Sequence, residues 1–451
     1  MTATVLAKSS DRGASAVSLL FVVDRLGGLG NGGAIRQHHL ITGVGQLGDS
    51  RLLILRKLSS EEASALRAEL GMPVYSLGVP LRNKVASALQ WAVHPTYGWR
   101  LARADLSVIE KAIVEIADDV QPSVLWVSSL AGWAALPRGL RQISVFDFID
   151  RLPCYQLEQL KAHGRRLVRR LRRAPSQEMR PVGAPRPSVL LKTLDGLVRS
   201  WWIERRVERS CRLAISSSPS DMRSRATSNH VIVPNGYAMR EALEPEAMTS
   251  TDRLRLLFPA SFTYVPNLDG AEWFFERVYP LLRMIAPTAE VVLAGAHPPD
   301  FERFGLLPGV TIAGQVESMS ELYDCRTVVF VPLLGGSGSR VKILEAWAHG
   351  VPVVSTSKGA AGLEARAGEH LLIADEPEAF AAACAAVMDS PRLWRSLAEA
   401  GHNRIVEAYS WEGIVSGVRS TLRSRFCCEG LSPLPDGVAG SDDPTALSSA
   451  R

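Results

Sequence analysis

The stretch Gly335-Gly336-Ser337-Gly338-Ser339, followed at once by Arg340, Lys342 and Glu345, holds the residue types with the clearest chemical use in this chain. A glycine-serine loop opens its backbone N–H groups to a ligand, and a helix that starts there adds unpaired donors and a partial positive charge. Such a place suits an anion, above all a phosphate. Arg340 and Lys342 stand at the helix entrance, where a cation opposes the macrodipole at a cost of roughly a few tenths of a kcal/mol. A bound diphosphate reverses that sign; a solvated basic pair is the alternative. Glu345 lies further along the same helix and can take a sugar hydroxyl or pair with Lys342 three residues back.

A second group lies in the first half. Asp147 and Asp150 close the apolar run Ile143 to Phe148. Acids at the C-terminal end of a strand belong to the rim where α/β sheets bind ligands, although Asp150 serves equally well as a helix cap. The glycine-rich segment from Gly27 to Gly33, ending in Gly32 and Gly33, follows the first apolar run. Its spacing is not G-x-G-x-x-G, and Leu52-Leu-Ile-Leu-Arg offers no acid for a ribose, so a nicotinamide cofactor is not expected. The segment either lets backbone approach a second substrate or the other domain, or makes a tight turn.

These residues need a scaffold, and the patterning supplies one. Val328 to Val331 is a strand apolar on both faces, Arg340 to His349 has helical spacing, and Gly350 and Pro352 stop it before Val351 to Ser355. That is a βαβ crossover. The same alternation predicts strands at Val17–Val23, Leu52–Leu55, Pro73–Leu77, Pro122–Ser128 and Ile143–Phe148, with helices near 34–45, 60–70 (capped by Ser60) and 103–119. It restarts with strands near 254–259, 289–294 and 310–313 and helices over 268–285 and 318–325. A last strand at 371–374 and helices over 377–388, 393–407 and 411–426 follow the crossover. The expected class is α/β, with parallel sheets covered by helices on both faces. The expected divisions are 1–16 disordered, 17–236 a first domain, 237–252 a linker, 253–408 a second domain, 409–426 a closing helix, and 427–451 a disordered tail.

The 451 residues suggest two or three domains, and 46% hydrophobic with 22% charged residues is the make-up of a folded chain. No apolar run is long enough to span a bilayer. Val17 to Val23 has no cleavage-type flank and reads as a first strand, not a signal peptide. Six scattered cysteines lack metal-ligand spacing and suggest reduced thiols in a cytoplasmic protein. Charge is uneven: from Lys161 to Arg212 there are fifteen Lys or Arg against four acids, an excess larger than the net charge of +5 of the whole chain. Leu167, Val168 and Leu171 share one helical face there, and Trp201 and Trp202 follow among further arginines. This basic segment, 161–212, suits an anionic membrane surface or is a solvated face. No recognised nucleic-acid-binding module accompanies it.

Two such domains joined near Pro234-Asn235-Gly236, with the Val328 to Thr356 unit and its GGSGSRVKILEAWAHGVPVVST from Gly335 onward, resemble the GT-B fold, two Rossmann-like parallel-sheet domains facing a central cleft. The motifs are similar to those of family 4 of the retaining nucleotide-sugar glycosyltransferases (glycosyl transferases group 1), bacterial exopolysaccharide members in particular. The resemblance covers about Val17 to Arg425 and is strongest from Leu254 to Trp411. It implies that the closing helix returns to the first domain. It also implies a metal-independent transfer of sugar from a nucleotide-diphosphate donor to a glycan or lipid-linked glycan acceptor, the donor being a substrate and no cofactor being needed. In that family a Glu-x7-Glu pair contacts donor sugar and ribose; here the second acid is Glu345, and the first position holds Ser337. An Arg and a Lys six residues apart correspond to Ser261 and Asn267, both uncharged. Arg340 and Lys342 are then the cations left to stabilise the departing diphosphate, from the opposite side of the same cleft. Gly336, Ser337, Gly338, Ser339, Glu345, Ser261 and Asn267 would line the donor, and Gly32, Gly33, Asp147 and Asp150 the acceptor side. The histidine many members carry beside the scissile bond has no counterpart in Leu125-Trp-Val-Ser-Ser-Leu. A degenerate relative that binds without turnover is the alternative.

Overall fold

The computed structural model describes residues 17–24, 26, 32–94, 99–149, 151–172, 187–219, 229–238, 255–336, 338 and 340–426. Two sheets carry the chain. The first holds β1 (Val17–Val23), β2 (Gly48–Ile54), β3 (Val74–Ser76), β4 (Val124–Val127), β5 (Ser144–Phe148), β6 (Leu213–Ser216) and β7 (His230–Ile232) in the order β3-β2-β1-β4-β5-β6-β7. The second holds β8 (Arg255–Pro259), β9 (Glu290–Ala294), β10 (Val310–Gly314), β11 (Thr327–Val331), β12 (Val353–Ser355) and β13 (Leu372–Ile373) in the order β10-β9-β8-β11-β12-β13. Every pairing is parallel. The central strands are the near-continuous apolar runs that double-sided burial demands: Leu19 to Val23 and Val328 to Val331 are fully buried.

Strand order reverses between β1 and β4 in the first sheet and between β8 and β11 in the second. Chains leaving neighbouring strands at such a point part to opposite faces, and the crevice between them is where open α/β sheets bind ligands. In the second sheet the two diverging loops carry Ser261 and Gly336, so topology alone brings the two candidate stretches together.

The Trp411–Phe426 helix packs into the core of the first domain, its Ile414, Val415, Val418 and Leu422 buried with Leu40, Ile41 and Val44. His39 stacks on Trp411 at 4.6 Å, and the Arg419 guanidinium donates to the Gly43 carbonyl. The chain thus crosses between domains twice, side by side: the Tyr237 N–H donates to the Tyr409 carbonyl at 2.9 Å.

Three local readings need correction. Ser59, not Ser60, caps the Ser60–Leu70 helix, accepting from the Glu62 N–H while Glu62 returns a bond to the Ser59 N–H. Residues 318–325 form only a single 3-10 turn, Met319–Leu322, because Thr327 and Asp324 draw the following backbone into a turn of their own. A helix the periodicity reading passed over, Lys84–Val93, is capped by Asn83. The expected linker is described only as far as residue 238, and the expected disordered ends, 1–16 and 427–451, lie outside the described residues.

Candidate active site

The glycine loop follows β11. Gly336 (φ +115°) and Gly338 (φ +83°) both adopt left-handed backbone that side chains disfavour, which explains the glycines. Arg340 stands at the N-cap position of the Val341–Ala348 helix, makes no side-chain capping bond there, and is buried. Its guanidinium donates to the Gly336 carbonyl (3.2 Å) and the Lys358 carbonyl (2.9 Å). It therefore braces the loop across to the segment after β12.

Lys342 reaches the other way. Its Nζ donates to Asn267 Oδ1 at 2.9 Å and lies 5.4 Å from the Phe258 ring centre, while Asn267 Nδ2 donates to the Ser261 carbonyl at 2.8 Å. A cationic side chain delivered from the facing helix thus ends one hydrogen bond from Asn267. Burial, first, and the neighbouring Arg340, second, lower the Lys342 pKa to about 7, against the opposing pull of Glu345. Glu345 does not take the Lys342 pairing open to it three residues along the helix. Its Oε1 accepts from the Tyr237 hydroxyl at 2.8 Å, which ties the helix to the point where the domains join.

The first domain reaches into this site through the Leu152–Arg172 helix, where the basic segment begins. Glu158 Oε2 accepts from the Gly336 N–H at 3.1 Å, and its Oε1 lies 3.0 Å from Lys161 Nζ and 3.7 Å from Lys358 Nζ. Burial raises the Glu158 pKa, but Lys161, the Gly336 N–H and Lys358 together more than offset this and hold it below the ordinary glutamate value. The anion at the glycine loop is therefore a carboxylate of the protein itself. Arg165 Nε pairs with Asp269 Oδ2 at 2.7 Å, Arg166 Nε with Glu272 Oε2 at 3.0 Å, and Arg303 also reaches Glu272. Tyr155 stacks on Tyr264 at 5.4 Å. The approach is close: a Cβ at Gly335 would stand 2.9 Å from Glu158 Oε2 and 2.5 Å from an Arg165 nitrogen. Arg165, partly exposed, and Arg166, buried, hence pair with buried acids of the second domain.

Asp147 does not line a rim. It is 1% exposed and takes two Arg36 nitrogens, Nε at 3.1 Å and NH2 at 2.8 Å, while Arg36 NH1 donates to the Val233 carbonyl and Asn235 Oδ1. A carboxylate so engaged is structural. Gly32 and Gly33 open the Gly32–Gly45 helix that carries Arg36. Asp150, Ser337, Ser339 and most of the Gly27 to Gly33 segment lie outside the described residues.

Glu158, Asp269, Glu272, Lys358, Arg36 and Tyr237 escaped the sequence reading. One signal was available: Asp269 and Glu272, a helical turn apart in the otherwise apolar Leu-Asp-Gly-Ala-Glu-Trp-Phe-Phe, demand cationic partners once buried. Among the described residues no three His, Cys, Asp or Glu side chains are grouped to hold a metal ion.

With this geometry in place, likeness to known proteins is informative. Residues 253–390 match the family described as glycosyl transferases group 1. A lipopolysaccharide core biosynthesis glycosyltransferase, LpsE of Rhizobium meliloti, is 38% identical over 85 residues, which are 18% of this chain and 25% of that one. The chain spans between 25% and 35% of the length of the curated relatives it matches. Over the whole fold it is similar to sucrose-phosphate synthase of Thermosynechococcus elongatus (TM-score 0.60, 14% identity, 91% of this chain and 99% of that one). It is likewise similar to Anabaena Alr3699/HepE in complex with UDP and glucose (TM-score 0.56, 12% identity, 90% and 100%). The fold is GT-B, and the match to the glycosyl transferases group 1 family lies within its second domain.

Proposed function

We propose that this protein transfers a sugar from a nucleoside-diphosphate donor to a glycan or lipid-linked glycan acceptor in surface polysaccharide synthesis. The reading includes retention of anomeric configuration, no need of a metal ion, a place in family 4 and a cytoplasmic location. The observation that carries it is the Lys342–Asn267–Ser261 chain, which sets a cation in the switch-point crevice beside the glycine loop. As the glycosidic bond to the donor breaks, negative charge gathers on the diphosphate. Cations and N–H donors fixed there stabilise the transition state more than the ground state. In this reading Arg340 fixes the loop, Lys342 supplies charge, and Glu345, held by the Tyr237 hydroxyl, takes the ribose hydroxyls. That a relative is named for lipopolysaccharide core synthesis supports the acceptor class. Release of nucleoside diphosphate from a panel of nucleotide sugars, with lipid-linked glycans as acceptors, tests this. Arg340→Ala should slow it at least about tenfold, equivalent to about 1.4 kcal/mol of transition-state stabilisation. Undiminished turnover in that variant would dismiss the assignment. A binding protein without turnover is the second reading, favoured by the Glu158 carboxylate already seated on the loop. Nucleotide binding with no transfer to any acceptor selects it.

Docking on an anionic membrane belongs to the same proposal, but by a surface other than the arginines held against the second domain. No helix among the described residues is long and apolar enough to cross a membrane. On the Pro187–Ser210 helix Leu194, Val198, Trp201 and Trp202 are exposed, and Arg205 lies over the Trp201 ring at 4.3 Å. Exposed aromatics among arginines fit the headgroup boundary of an anionic bilayer. Replacing Trp201 and Trp202 by serine should reduce the fraction floating with phosphatidylglycerol vesicles at least about fivefold. Equal flotation of variant and wild type would remove the membrane from the account.

A further inference from the structure

Donors from three separate stretches converge on the Glu158 carboxylate: the Gly336 N–H, Lys161 from the same helix as Glu158, and Lys358 from beyond β12. Backbone N–H groups of a left-handed glycine loop, ringed by cations, make a general anion cradle. A carboxylate brings only two oxygens to it, and it leaves a donor over. One terminal nitrogen of Arg165, buried and without a hydrogen-bond partner, points at the same loop, 2.5 Å from where a Cβ of Gly335 would stand. A buried guanidinium N–H left without an acceptor is costly, so an oxygen brought to this anion cradle would find a donor already waiting.

We propose that Glu158 is a placeholder for a phosphoryl group: a nucleoside diphosphate binds by displacing this carboxylate from the Gly336 N–H, and Lys358 and Arg165 then hold the phosphate oxygens. The inference rests on the function proposed above and adds two ligands and an internal competitor to its donor site. Because Glu158 and Arg165 belong to the first domain and Gly336 and Lys358 to the second, the exchange also ties donor binding to the contact between domains. Arg166 and Arg303 share Glu272, so the second domain keeps a cation on that acid if the Leu152–Arg172 helix shifts. The displaced carboxylate keeps Lys161, its neighbour one turn along the helix, as its partner.

The test is calorimetric titration of inorganic pyrophosphate, UDP and GDP into the full chain. Glu158→Gln should tighten pyrophosphate binding at least about tenfold, since it removes the competing charge, worth about 1.4 kcal/mol per factor of ten. Glu158→Asp, which keeps the charge on a shorter arm, should tighten it too and guards against a folding defect in the first variant. On the Glu158→Gln background, Lys358→Met and Arg165→Met should each forfeit most of the gain. Wild-type or weaker affinity in both Glu158 variants would overturn the placeholder while leaving the donor site standing. If no variant binds pyrophosphate or either nucleotide, the loop is not a diphosphate site and the function proposed above fails with it.

Discussion

Asp147→Ala should destabilise the first domain by about 3–5 kcal/mol, the usual cost of stripping the partner from a buried ion. Arg36 is 0% exposed, and Asp147 supplies its only carboxylate among the contacts described, so the alanine variant leaves a guanidinium with no countercharge inside the protein. The Val233 carbonyl and Asn235 Oδ1 still accept from NH1, but they are neutral dipoles and cannot replace the missing charge. Urea unfolding followed by a first-domain probe such as Trp126 fluorescence reads the loss. Replacing the pair together, Arg36→Met with Asp147→Leu, should recover a large part of it, because two apolar side chains need no countercharge. A loss below about 1 kcal/mol in the single variant would mean that Arg36 finds water, and that Asp147 is free for another task. Since the same guanidinium holds Val233 and Asn235, the variant should also loosen the start of the domain crossing.

Lys342 yields the second large effect, through pH. With a pKa of about 7, lowered chiefly by burial, its ammonium is mostly charged at pH 6 and mostly neutral at pH 8. A diphosphate beside it favours the charged form and raises that pKa in the complex, so binding between the two values takes up a proton. Affinity should therefore fall as pH rises above about 7, by up to about tenfold per unit until the raised pKa is passed. Lys342→Met should remove this slope, and comparing the two proteins cancels the titration of the ligand itself. Stability has the opposite sign. The unfolded lysine keeps its proton up to about pH 10.5 and the folded one only to about 7, so the unfolded state binds more protons in between and folding grows more favourable across that window. Lys342→Met should raise the melting temperature more at pH 6 than at pH 9. A parallel pH profile of affinity in variant and wild type would take Lys342 away from the diphosphate.

The crossover around Gly335 to Ser339 was legible because all its signals are local: an apolar run, glycines, helical spacing, and a proline after the stop. The position of Lys342 beside Asn267 was not legible in the sequence. Its geometry depends on the reversal of strand order between β8 and β11, which no window of sequence contains. Glu158 lies 178 residues from Gly336, and Arg36 lies 111 from Asp147. Periodicity identifies each as a polar residue on a helix or strand and is silent about what it will face. The start of the basic segment shows the same limit. A count of charges cannot see that Asp269 and Glu272, on another domain, neutralise Arg165 and Arg166. The Met319–Leu322 turn was overread as a helix because so short a stretch does not separate the two periods.

The return of the Trp411–Phe426 helix to the first domain has a bearing on biosynthesis. The face formed by Leu40, Ile41 and Val44 waits for its cover until about 370 further residues have been made. A nascent chain therefore carries a bare apolar groove through most of its synthesis, and the first domain can be completed only after the second has emerged.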